Sequence, residues 1–527
     1  MKAFTFFLFF FCLLETNAQV AFQKIYSASP NNSISLYGFP KLTYDGGCIT
    51  AGEANNNQNG GIFLMKTDSL GNLKWTKIYN DIFNHVSVRS AIQTQDNGFV
   101  VTGSVIDYDS TGNASDAFLM KTDDTGKVLW FKCYGGKEDE AAYSVAQTKD
   151  RGFIMTGGAS GFSYSGMYVI KTDSLGDIIW TKTYSDSSGY FPIGTHIKEV
   201  EDGYALGGQY SSGGSSRPPS LIKLDTAGNF LWAKEYKSGF YFDNLKAFNV
   251  AKDGYILGGV SANFNSKHTK DAHLIKTDFA GNVVWANTYS RADFTTQIIF
   301  VMQTNDGGFV ASVHASAQDS NQYIILLKTD PGGAVEWSRR IGQPHLQQGG
   351  TVGGQTKDNG YLIAGSLFDP SLPAAYSYNL KTDSLGNAGC FTDSFNFTVT
   401  QALPVVSNVG FSIFGTLDSS TSWMPAVLSI EGTDSALCLT TTPISDLPAK
   451  KPAKLLVYPN PSKGWVSVES EVPVLEVEIK TILGTSVYKQ SSYSEKLSID
   501  LGNQPPGIYF YTIRTKSSIE NGKLILQ

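Results

Sequence analysis

The chain has 527 residues, of which 47 are acidic and 41 basic, giving a formal net charge of −6. Charged residues make up only 17%, while Gly numbers 53, Phe 32 and Tyr 26, a balance that favours strands and turns over charged surface helices. No Lys/Arg run forms the footprint a phosphate backbone needs, which argues against nucleic acid as a partner.

The N-terminus reads Met-Lys, then an apolar block from Phe4 to Leu14, then Glu15-Thr16-Asn17-Ala18. This is the pattern of a signal peptide over residues 1–18, too short to span a bilayer. No later segment is long and apolar enough to be a transmembrane segment, and the expected compartment is oxidising.

Residues 19–390 are dominated by two alternating turn motifs with a period of about 52 residues. One is a tight turn: Asp45-Gly46-Gly47, Asp96-Asn97-Gly98, Asp150-Arg151-Gly152, Asp202-Gly203, Asp253-Gly254, Asp306-Gly307-Gly308 and Asp358-Asn359-Gly360. The other follows a strand: Lys66-Thr67-Asp68 and its copies at Lys121, Lys171, Lys223, Lys276, Lys328 and Lys381, each with a Gly three residues after the Asp. The carboxylate can accept turn N–H groups and the Gly supplies positive φ, so both motifs predict hairpins. Trp75, Trp130, Trp180, Trp232, Trp285 and Trp337 follow that Gly by four residues and are expected to seal neighbouring units.

Four antiparallel strands per copy define a propeller blade, and the expected fold is all-β: a seven-bladed β-propeller followed by a small β-sandwich. The seventh copy lacks its Trp strand. Phe22-Gln23-Lys24-Ile25-Tyr26 matches Trp75-Thr76-Lys77-Ile78-Tyr79, so residues 20–27 are expected to complete the last blade. The stretch Asp123-Asp124-Thr125-Gly126-Lys127-Val128-Leu129-Trp130 resembles the tryptophan-docking motif of quinoprotein-type propellers, and the unit resembles the SBBP repeats of secreted bacterial propellers. Quinoproteins of that kind bind pyrroloquinoline quinone and calcium with eight blades and a vicinal disulfide. This chain has neither adjacent cysteines nor an eighth copy, so no cofactor is expected.

Residues 391–441 form a β-rich extension without the repeat, flanked by Cys390 and Cys438. These two are candidates for a disulfide, whose loop closure would contribute about 4 kcal/mol. Cys48 and Cys133 fall at strand positions of the repeat and are expected to be buried thiols.

A Pro/Lys-rich linker spans 442–454. Residues 455–527 then carry Leu456-Val457-Tyr458-Pro459-Asn460-Pro461-Ser462-Lys463-Gly464, Pro506-Gly507-Ile508-Tyr509-Phe510-Tyr511 and a terminal Lys523-Leu524-Ile525-Leu526-Gln527. These motifs closely resemble the type A sorting domain of the type IX secretion system of Bacteroidetes. The resemblance implies export by that machinery, removal of the domain, and a final location that is secreted or on the outer-membrane cell surface.

Chemistry is sparse. The six histidines show no metal spacing, no nucleophile elbow or phosphate loop is present, and no catalytic or metal-binding residues are assigned. Asp107 to Gly112 lacks the bidentate acid of a calcium loop, and Glu138-Asp139-Glu140 reads as a water-facing loop. His273 stands where other copies have Phe118 or Tyr168 and is expected to be packed. Asp-Ser-Leu and Asp-Thr-Ala turns resemble the Bacteroidetes O-glycosylation sequon, with Ser69, Ser174, Thr226 and Ser384 as acceptors.

Both turn motifs lie on one face of the propeller, and the variable loops share the other. Those loops carry Tyr108, Phe162, Tyr164, Tyr190, Tyr210, Tyr241 and Phe264, suited to stacking on sugars or gripping protein. The sequence therefore favours a binding or adhesion module for glycan or protein. A polysaccharide-active hydrolase or lyase and a structural surface-layer protein are the alternatives.

Overall fold

Each Lys-Thr-Asp motif folds as its turn chemistry demands. In the first, Asp68 Oδ1 accepts from the backbone N–H groups of Leu70 and Asn72 at 3.0 and 2.8 Å, and Gly71 takes φ 73°. The motif's lysine reaches back to the aspartate of the tight turn in the same copy, as in Lys66–Asp45. The pair recurs as Lys121–Asp96, Lys171–Asp150, Lys223–Asp202, Lys276–Asp253, Lys328–Asp306 and Lys381–Asp358, at 2.6–3.0 Å. The lysine stems are buried and most of the carboxylates face water, so each pair ties two hairpins of one copy together without burying both charges.

The computed structural model describes residues 21–440 and 455–527, apart from segments 28–32, 36–39, 57–58, 81–82, 108–113, 136–138, 161–164, 186–190, 212–217, 238–241, 263–269, 318–320, 342–346, 369–374, 389–391, 403, 410–411, 415–418, 424–425, 430–432, 482–485 and 516–518. The signal-peptide segment and the linker lie outside the described residues. Two units are present, 1–441 and 442–527.

In the first unit, seven antiparallel sheets form the blades of a β-propeller. Blade two is representative: Phe83–Gln93, Phe99–Asp107, Ser115–Thr122 and Val128–Gly135 pair in chain order. Blade seven takes its fourth strand from the N-terminus, with Ala21–Ser27 lying against Ala375–Lys381 so that Phe22 faces Lys381 and Tyr26 faces Ser377.

The hydrophobic core is a ring of seams between blades. At the seam of blades one and two, Trp75 meets Phe99 edge-on at 5.8 Å, and Trp130–Phe153 repeats the contact one blade on. The Tyr four residues after each Trp crosses the seam and donates its hydroxyl to the hairpin Gly carbonyl of the next blade. These bonds are Tyr79 to Gly126, Tyr134 to Gly176, Tyr184 to Gly228, Tyr236 to Gly281 and Tyr289 to Gly333, at 2.6–2.8 Å. Ile341 takes this place in blade six. At the closing seam Tyr26 donates to Gly71 O, and Phe22 substitutes for the Trp: a Cβ on Gly71 would lie 2.4 Å from its ring. Tyr134→Phe is expected to cost about 1–2 kcal/mol in urea unfolding, since it strands a buried carbonyl.

The extension adds a fifth strand to every blade. Thr392–Ser394 pairs with Val335–Ile341 of blade six, Thr398–Gln401 with Val283–Ser290 of blade five, and Val405–Val409 with Phe230–Lys237 of blade four. Ser412–Phe414, Ser419–Trp423 and Ala426–Ser429 continue onto blades three, two and one. Thr433–Thr440 ends on the closing strand Ala21–Ser27. One segment thus runs round the propeller against the blade order and covers the outer edge of each sheet, edges that would otherwise expose unpaired N–H and C=O groups. Repeat patterning indicates four strands per blade; the fifth comes from a segment without repeat motifs. The Cys390–Cys438 pairing lies outside the described residues, while Cys48 and Cys133 are buried free thiols.

The C-terminal unit is a five-stranded antiparallel assembly. The long strand Trp465–Thr481 pairs with Leu455–Tyr458, Ser486–Asp500 and Gly507–Thr515, and the last of these carries Ile519–Leu526. Val468, Val477, Ile479, Ile513 and Leu524 belong to its core. The Pro-Asn-Pro-Ser motif grips the terminal strand: Asn460 donates to Lys523 O at 2.6 Å and accepts from Ile525 N at 2.9 Å.

Candidate functional site: the axial cavity

The innermost strands of the blades converge on the propeller axis and enclose a cavity of about 470 Å³. The innermost strands of blades two to six share one irregularity. Each carries a β-bulge against the second strand, skipping Arg89, Tyr143, Thr195, Lys246 and Ile299 in turn. All five lie seven residues before the tight-turn aspartate of their blade, and all five line the cavity. A bulge leaves one residue out of the ladder and re-aims its side chain, and here it does so at the same level of five blades.

In four of these five blades the bulge faces a glycine on the second strand, while in blade six it faces Val313. Opposite the bulge stand Gly103, Gly157, Gly208 and Gly259 in blades two to five. A Cβ on Gly103 would lie 1.8 Å from the carbonyl oxygen of Ser87, so the inner strand's backbone occupies the room a side chain would need.

A second ring sits closer to the tight turns, four residues before the aspartate. It contributes Lys41, Ile92, Lys198 and Asn249 to the lining. Ser90, Ser144, His196, Ala247 and Phe300 fill the level between. The lining thus holds four basic side chains, Lys41, Arg89, Lys198 and Lys246, and among the described residues no carboxylate.

The charges feel each other. Burial, and then the Lys198 ammonium, lower the Lys41 pKa to about 7. Burial lowers that of Lys198 as well. Burial followed by Lys198 and Lys41 pushes His196 down to about 3, leaving it a neutral hydrogen-bonding group. The ammonium of Lys41 also lies 5.6 Å from the Phe300 ring, and the guanidinium of Arg89 lies 5.8 Å from that of Tyr143. Arg89 and Lys41, each beside an aromatic ring, give the described lining a positive potential inside a low-dielectric wall.

The aromatic residues expected to form a working face are not brought into view. Tyr108, Phe162, Tyr164, Tyr190, Tyr241 and Phe264 lie outside the described residues, and for Tyr210 only the strand Gly203–Ser211 is described. Ser69, Ser174 and Thr226 are exposed at hairpin tips, and Ser384 is half-buried in its turn. In the acidic Glu138-Asp139-Glu140 segment, Glu138 lies outside the described residues, Asp139 is exposed and Glu140 does not face water. Asp139 and Glu140 open the inner strand Asp139–Gln147, Asp139 accepts from Ser115, and Glu140 is buried. His273 is packed and its pKa is lowered to about 4 by burial. Among the described residues no group of three or more His, Cys, Asp or Glu is placed to hold a metal ion.

Fold and cavity define a seven-bladed β-propeller with a cationic axial site, built on a chain that ends in a separate β domain. Residues 456–527 match the family described as secretion system C-terminal sorting domain, and this part of the chain is a type IX secretion sorting domain. It implies contact with the secretion machinery and marks the protein as secreted and attached to the cell surface. No curated protein matches the chain. Among solved structures it is similar to PorZ of Porphyromonas gingivalis, described as an essential bacterial surface component of the type-IX secretion system. Identity is 11% and the TM-score 0.39, over 94% of this chain and 59% of PorZ, so the chain spans about three fifths of that protein's length. Among the described residues no helix is long and apolar enough to cross a membrane.

Proposed function

We propose that this protein is a cell-surface binding module that recognises glycan or protein through its propeller. One observation carries the reading. Across the blades the residues that build the scaffold repeat, namely the Lys–Asp ties, the seam Trp and the hairpin Gly, whereas the bulge residue aimed into the channel is Arg, Tyr, Thr, Lys or Ile. A frame that is held constant while its inward-facing positions differ has the form of a recognition site on a rigid support.

The test is a pair of glycan and protein arrays probed with the full-length exported protein. Reproducible binding to a defined set of ligands is expected. Absence of binding to both arrays would overturn the proposal.

A further inference from the structure

We infer that two copies of this chain pair face to face through the propeller face that carries the hairpin tips, about a two-fold axis passing between blades three and four. This pairing is independent of what the axial cavity binds. A second set of β-bulges lies on the fourth strand of blades one to six. The register there skips the residue just before the seam Trp: Lys74, Leu129, Ile179, Leu231, Val284 and Glu336. Each skipped residue is exposed, and the described belt strands pair with the fourth strands only beyond the Trp. The four apolar bulge residues of blades two to five thus form an open arc on one rim. Leu70, Leu175, Phe279 and Leu385 add apolar hairpin tips to it, and all eight side chains are 49–61% exposed. At roughly 100 Å² each they offer about 800 Å² per copy, the area a standard protein interface buries on each partner. An apolar rim of that extent is the mark of an interaction surface.

The order of residues round the arc points to a second copy as the occupant. In a two-fold pair the same patch serves both copies, and the blades of one meet those of the other in reverse order. With the axis between blades three and four, blade one meets blade six, two meets five, three meets four, and blade seven meets its own counterpart. Lys74 then stands opposite the partner's Glu336 at each end of the arc, and the apolar bulges of blades two to five stand opposite one another. The tips match in size as well: Leu70 meets the partner's Gly332, and Leu175 meets the partner's Ala227. Within its own copy Lys74 lies 3.4 Å from Asp68, and Glu336 lies 2.8 Å from Lys328. Both side chains are still about half exposed, so the charges set the orientation while the apolar rim supplies the affinity. The variable-loop face of both propellers stays open to a ligand.

Sedimentation velocity on the full-length protein decides the matter, and a dimer is expected at micromolar concentration. Leu129→Ser/Val284→Ser should weaken dimerisation at least tenfold at an unchanged melting temperature, because both residues are half exposed in the single copy. If the serine pair fails to fold, Leu129→Gln/Val284→Thr keeps the bulk and removes the apolar contact. Lys74→Glu sets two carboxylates against each other and should weaken the dimer about threefold, and Lys74→Glu/Glu336→Lys should bring it back near the native value. A monomer throughout the micromolar range, a dimer that survives the rim substitutions, or a charge exchange that restores nothing in a folded protein overturns the inference. Sugar on Ser69, Ser174 or Thr226 would stand between the copies, so a dimer that carries it there overturns the inference too. None of these outcomes bears on ligand recognition, which the arrays decide separately.

Discussion

Phe22→Ala is expected to open the seam at which the ring closes and to cost about 3–5 kcal/mol in urea unfolding. Phe22 is 1% exposed and does for the closing seam what tryptophan does for the others. Its cluster is small: Phe22, Cys48, Leu362 and Ala364 with Leu42 packed alongside, against sixteen buried residues in the cluster of blades one and two. The strands it joins have no local turn between them, since Phe22 and its partner Lys381 are 359 positions apart (381 minus 22). Side-chain packing and the two ladders of Ala21–Ser27 must hold that strand in place. Hydrogen exchange should speed up first in Ala21–Ser27 and Thr433–Thr440, which pair with each other, before it changes in blades three to five. Tyr26→Phe, which removes one seam hydrogen bond, should cost about 1–2 kcal/mol at the same place. A Phe22→Ala loss under 1 kcal/mol would mean that the outer belt alone keeps the ring shut.

Most of the propeller is legible in the sequence because its information is local. Asp, Gly and Trp at fixed offsets specify hairpin, turn and seam within a few residues of one another, and Phe22 to Tyr26 can be read as the absent strand by comparison with Trp75 to Tyr79. The belt is harder to read. Its strands are as short as three residues, and each is defined by pairing with a strand far away in the chain, with no turn motif of its own. A signal does exist. The belt strands start at residues 392, 398, 405, 412, 419, 426 and 433, a step of seven after the first. Seven extended residues reach about 23 Å, and each successive strand pairs with the next blade round the ring. The cavity also left a trace in the glycines inside the second strands, which mark close backbone approach and hence a bulge, and in the residue seven before each tight-turn aspartate. What local pattern does not supply is that five blades bring those residues to one axis. Exposed aromatics on variable loops draw attention first because they are conspicuous, whereas Arg89 and Lys246 look like ordinary strand-surface cations until the ring is closed.

Acid should destabilise the propeller well before its carboxylates reach their folded pKa values. Eleven aspartates at the two turn motifs are held below the ordinary carboxylate range: Asp45, Asp96, Asp150, Asp202, Asp253, Asp306 and Asp358 of the tight turns, and Asp68, Asp123, Asp225 and Asp278 of the hairpins. Burial opposes the shift at all eleven sites, and hydrogen bonds from lysine, threonine, asparagine and turn N–H groups outweigh it. A lowered folded pKa means that the unfolded chain binds protons first as pH falls. The stability these groups contribute is complete above the unfolded value near 4 and is lost as pH drops through the folded values. Many of these side chains face water, so after solvent screening each contributes only about 0.3 kcal/mol, roughly 3 kcal/mol in all. His196 and His273 act earlier in the same direction. Both are held neutral with pKa values of about 3 and 4, so the unfolded chain gains protons below 6.5 while the folded one does not. His314, lowered by burial, acts in the same sense, Lys41, lowered to about 7, also favours the folded state at higher pH, and Asp271, raised by burial, opposes the trend. The urea midpoint is therefore expected to decline from about pH 6.5 and to fall more steeply below pH 4, and a midpoint that stays level to pH 3 would contradict this account. His273→Phe separates the two limbs. The side chain occupies a place filled by Phe118 in blade two, and its Nε2 is buried without a partner. The substitution should lessen the decline between pH 6.5 and 4, of which the His196 and His314 share remains, raise stability at pH 5, and leave the aspartate limb below pH 4 unchanged.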